Sequence, residues 1–133
     1  GKVRAVVSAI SKTEVLACRN DETMFKAWQN LQKRKNVQVA PVNQFVLDTT
    51  YTIRNFYSEQ RMRDATKKKP PAIPDCILIA TAIQFAVDHM VSSDGGKMDP
   101  KVLSPLELSG RIANQWQLSV IRPNELNLSG LNV

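Results

Sequence analysis

The segment Ile73-Pro-Asp-Cys-Ile-Leu-Ile-Ala-Thr-Ala-Ile83, followed by Met90-Val-Ser-Ser-Asp94, constrains the fold more than any other part of the chain. An acid opens an almost wholly apolar helix, and a second acid closes the short apolar strand that follows. In a right-handed strand-helix-strand unit the helix starts at the carboxyl edge of the sheet, and the next strand climbs back to that edge. Asp75 and Asp94 are therefore expected side by side, at the edge where open α/β sheets place their ligand sites. Two carboxylates converging there suit the binding of a cation.

Short apolar runs alternate with helical patterns along the rest of the chain, which is the signature of a doubly wound, mostly parallel α/β sheet flanked by helices. Arg4 to Ser8 reads as a buried strand. Ser11-Lys-Thr-Glu14 matches a capping box that opens a helix to about Cys18. Asp21-Glu22 caps a helix with Met24, Phe25, Trp28 and Leu31 on its apolar face, and Val37 to Val39 is the next strand. Asn43 caps a long amphipathic helix with Val46, Thr50, Ile53 and Tyr57 on one stripe. Asp64 to Pro74 is a basic, proline-rich loop, and the buried helix runs from Asp75 to about Asp88. Asp94-Gly-Gly96 is a turn. Ser104-Pro-Leu-Glu107 is a second capping box, expected to lead a helix to Trp116. Leu118 to Ile121 is the last strand, and the tail from Asn124 to Val133 is left undecided.

A chain of 133 residues is read as one domain over 1–133, long enough to bury a core. No run approaches the ~20 apolar residues of a membrane span, and the first residues lack the apolar stretch of a signal peptide. Cys18 and Cys76 sit in apolar helical patterns without CxxC spacing, which reads as two reduced thiols and a cytoplasmic setting. The net charge of +6 is unevenly placed. Lys33, Arg34 and Lys35 form one basic cluster; Arg61, Arg63, Lys67, Lys68 and Lys69 form another. Each alone could be a solvated helix end or loop, but basic flanks around an acidic centre suit a polyanion.

The acids have bland readings as well. Glu14 stands where a capping box favours glutamate for helix stability alone, Asp75 is favoured by the helix dipole, and Asp94 precedes two glycines as turn residues do. Three strand ends each delivering an acid to one edge favour a metal site over three coincidences. Asp99 lies a few residues past Asp94, within reach of the same pocket, but reads first as a solvated loop acid. Ser92 and Ser93 are candidates to orient the carboxylates. His89, the single histidine, sits at a helix C-terminus where capping is the ordinary role.

In this order and spacing the chain resembles the PIN-domain family of metal-dependent nucleases, including those of toxin–antitoxin type. Ser8 to Cys18 resembles the strand-to-helix segment carrying the family's glutamate, and Asp75 to Ala82 its aspartate-led helix. Val91-Ser-Ser-Asp94 resembles the strand ending in Ser/Thr-x-Asp, and Gln117 to Pro123 the closing strand that runs into proline. The resemblance implies that Glu14, Asp75 and Asp94 are metal-binding catalytic residues holding Mg²⁺ or Mn²⁺, with Ser8, Ser93 and Asp99 around them. It implies RNA as substrate, its backbone held by the two basic clusters, and a homodimer or an antitoxin-like protein as further partners. The family's domain opens with a strand ending in aspartate, and nothing before Arg4 supplies it. Phe45 to Thr50 imitates that strand but continues as a helical stripe, so Asp48 reads as an ordinary helix residue. The expectation is that the opening strand lies upstream of Gly1. The alternative is a PIN-like RNA- or protein-binding module that has lost its first acid and its activity.

Overall fold

The computed structural model describes residues 4–11, 22–92 and 99–125. The chain divides into two compact units, one built on residues up to Val42 and one spanning 43–127. The first unit carries strand β1 (Ala5–Ser8), helix α1 (Glu22–Gln32) and strand β2 (Val37–Ala40). β1 and β2 pair in parallel, from Ala5 opposite Val37 to Ser8 opposite Ala40. A parallel pair needs a crossover, and α1 lies within it. Trp28 and Ala40 are buried, whereas Phe25 is 42% exposed, so the apolar face expected of α1 narrows to Trp28 and half-buried Leu31 among its described side chains. The helix expected from Ser11 to Cys18 falls mainly outside the described residues.

The second unit is led by α2 (Gln44–Arg63) and α3 (Ile73–Gln84). Asn43 starts α2 as expected: its Oδ1 accepts from Val46 N at 3.0 Å, which satisfies one of the open donors of the first turn. Val46, Thr49, Thr50, Ile53 and Tyr57 form its buried stripe. α3 is apolar nearly all round, and Cys76, Ile77, Ile79, Ala80, Thr81 and Ala82 are buried; Ile83 is half-buried against the same core. The main partner of α3 is α2, with further contacts to the β elements. The Asn43 side chain donates to Gln84 Oε1 at 3.3 Å, which places the start of α2 beside the end of α3 and makes the pair antiparallel.

α3 ends four residues earlier than its sequence pattern suggests, at Gln84 rather than Asp88. Val87 N donates to Ala82 O at 3.2 Å and Ala86 N to Ile83 O at 3.1 Å, the two bonds of a Schellman termination. Ala86 takes the left-handed position, with φ 48. His89 therefore lies beyond the helix end and does not cap it; its Nδ1 is 3.0 Å from Ser119 Oγ. Strand β3 (Met90–Val91) follows and pairs in parallel with β6 (Val120–Ile121). Ser92 N extends that ladder to Ile121 O at 2.9 Å.

The helix expected from Ser104 to Trp116 does not form. Its start does: Glu107 Oε2 accepts from Ser104 N at 2.8 Å, but only one 3₁₀ turn follows, Pro105–Leu108. Gly110 has φ 106, and Ala113 and Asn114 have φ 49 and 59, none of which a right-handed helix allows. The segment is instead a hairpin of β4 (Gly110–Ile112) and β5 (Trp116–Leu118). Two successive positive φ values and the Gln115 N to Ile112 O bond of 3.0 Å mark a type I′ turn. The expected last strand from Leu118 to Ile121 is split between β5 and β6, because Leu118 pairs with Gly110 and Val120 with Met90.

Within the second unit one core cluster joins the helices to the β elements: Ile53, Tyr57, Cys76, Ile79, Ala82, Met90, Leu108, Ile112, Ala113, Leu118 and Val120. The architecture is mixed α/β, with three helices and two-stranded β pairs, two of them parallel, among the described residues. No helix of the described residues is long and apolar enough to cross a membrane.

Candidate functional site

Asp75 is the one member of the predicted acidic triad inside the described residues; Glu14 and Asp94 lie outside them, as does Ser93. It is the acid of the first turn of α3 and is half-buried. The N-cap residue, Ala72, offers no side-chain acceptor, so the carboxylate of Asp75 is the chain's own negative charge at the positive end of that helix dipole. The Arg54 guanidinium holds the residue before the cap, donating to Pro71 O at 2.7 Å.

Cys76 beside it is a buried free thiol. Its Sγ is 3.6 Å from Pro71 O, and burial pushes the thiol up to about 12, against a smaller opposing pull from Arg54. Asp75 next to it offers carboxylate oxygens. Oxygen-only donors suit hard divalent cations such as Mg²⁺ and Mn²⁺. Among the described residues, no three His, Cys, Asp or Glu side chains are grouped to hold a metal ion.

The positions around the expected site are as follows. Ser8 is the buried last residue of β1, and its Oγ accepts from Ile10 N at 3.3 Å, so the hydroxyl shapes the exit from the strand. Ser92 ends the β3 ladder and is half-buried. Asp99 is exposed, and its Oδ1 accepts from Lys101 N at 2.9 Å, folding a turn before Val102. Asp48 is an exposed residue of α2 that accepts from Gln44 Nε2 at 2.7 Å, as expected of an ordinary helix position. An open cavity of ≈ 350 Å³ beside Asp88, Ser109 and Gln117 contains none of the candidate residues.

The basic clusters resolve unequally. Lys33, Arg34 and Lys35 are exposed just past α1. In the second cluster, Lys68 is ion-paired with Glu107, and Arg61 donates to Lys67 O at 2.8 Å. Arg63 is 4.0 Å from Glu59, while Lys67 and Lys69 are exposed. One basic residue joins this group only in three dimensions. Lys69 N donates to Lys101 O at 2.8 Å and Leu103 N to Lys69 O at 3.0 Å, a single parallel bridge that pairs Lys69 with Val102 and brings the backbone of Lys101 next to that of Lys69. The available sequence signal was slight: Asp99-Pro-Lys101 reads as a turn, and a turn has no visible partner.

Compared with known proteins, the chain matches no protein-family model, no curated protein and no solved structure.

Proposed function

We propose that the chain is a PIN-like, divalent-metal-dependent ribonuclease, a hydrolase of RNA phosphodiester bonds built on a doubly wound sheet and working in the cytoplasm. The observation that carries this reading is the context of Asp75. The acid opens a helix whose flanks are buried on nearly every side, and the short connection 85–89 returns the chain to a strand that runs parallel to its neighbour. A helix that turns straight back into a strand packed along it sets the helix start near the strand end, the arrangement the reading requires of α3 and β3. The ladder reaches Ser92, two residues before Asp94.

Glu14, Asp75 and Asp94 would hold the metal, Mg²⁺ or Mn²⁺, through oxygen atoms. When bound, such an ion supplies an activated water and stabilises the charge that develops on the phosphate. The chain's own part is to hold carboxylates against a rigid helix end, with the Ser8 hydroxyl shaping the exit from β1. Exposed basic residues draw in the phosphate backbone without reading sequence. This chemistry requires no histidine, in keeping with the engagement of His89 by Ser119.

The test is the Asp75→Asn variant, assayed for cleavage of single-stranded RNA with and without Mn²⁺. Losing a first-turn acid costs up to ~1 kcal/mol of helix stability, and relief of carboxylate repulsion acts in the other direction, so the variant should fold. It should lose most Mn²⁺-dependent cleavage and the Mn²⁺-dependent rise in Tm shown by the wild type. Undiminished cleavage by the variant would sink the carboxylate mechanism. A wild type whose stability and RNA cleavage both ignore Mn²⁺ would leave a non-catalytic binding module.

A further inference from the structure

We draw no further inference here: the strongest candidate, the Ser119 hydroxyl on the open cavity just before β6, with His89 Nδ1 3.0 Å from it just before β3, carries no reaction, since the imidazole is exposed and, among the described residues, bonds to no carboxylate that would orient it as a base.

Discussion

Ala86 is an L-residue in the left-handed region, at φ 48, ending α3 where glycine is the usual occupant. The position is exposed, so a change there leaves the core untouched. An alanine in that region carries ~1–2 kcal/mol of steric cost, and glycine carries none, although it adds freedom to the unfolded chain worth ~0.4–1 kcal/mol. The expected net effect of Ala86→Gly is stabilisation by about 0.5–1 kcal/mol, read as a higher urea midpoint at unchanged m-value. The same residue explains why the helix was read too long from its sequence. Nothing in Phe85-Ala-Val-Asp88 is a conventional stop, and the termination depends on two carbonyls of α3 accepting from the turn.

At the scale of elements, the 3₁₀ turn Pro105–Leu108 is secured through one carboxylate. Glu107 accepts from Ser104 N and pairs with Lys68 of the loop after α2. Burial pushes its pKa up, but the Lys68 ammonium and the Ser104 donors outweigh it, so the net shift is downward. A carboxyl depressed in the folded state contributes stability above its unfolded pKa, and that stability is lost as pH falls through the folded value. Glu107→Gln should thus cost up to ~1 kcal/mol at neutral pH, the range for an exposed pair. The difference from wild type should close in unfolding experiments as the pH falls through the depressed folded-state pKa, below the ordinary glutamate range, where the wild-type carboxyl loses its charge. An unchanged gap across the series would mean the pair contributes no charge-dependent stability. The capping box was visible in the sequence; what it opened was not. Its serine and glutamate specify one turn, and the element beyond depends on Gly110, Ala113 and Asn114. The alternation of buried Leu118 with exposed Gln117 hinted at the hairpin, but a capping box just upstream drew the pattern toward a helix.

Across the second unit, a buried polar bond joins the hairpin to the helices. Tyr57 of α2 accepts at its hydroxyl from Ala113 N at 2.9 Å, and burial pushes the phenol upward while that backbone donor opposes the shift. Removing the hydroxyl leaves the Ala113 N–H buried without an acceptor, which costs ~1–3 kcal/mol. Tyr57→Phe should be destabilised by that amount in urea titrations, with the helical circular dichroism of the folded state retained. The long-range arrangement was legible only in part. The buried stripe of α2 and the apolar helix after Pro74 were plain from residue spacing, because periodicity reports which face meets a core. Which strands pair was not, since Lys69 finds Val102 and Met90 finds Val120 through contacts that no local pattern encodes. For the acidic site, the sequence offered the order and spacing of Glu14, Asp75 and Asp94. The structure supplies the surroundings of Asp75.

The parallel pairing of Met90 with Val120 also bears on the order in which the chain assembles. The β4–β5 hairpin closes locally and belongs to the ~1–10 μs class of events. β3 and β6 lie on opposite sides of that hairpin in the sequence, so their meeting requires a much longer loop to close, with an entropy cost that rises with its length. A formed hairpin shortens the flexible chain between them, and Val120 N donates to Ser109 Oγ at 2.9 Å, holding β6 against the root of the hairpin. On this basis β6 is expected to be carried to β3 as part of a preassembled piece, with the parallel pair the late step that closes the unit.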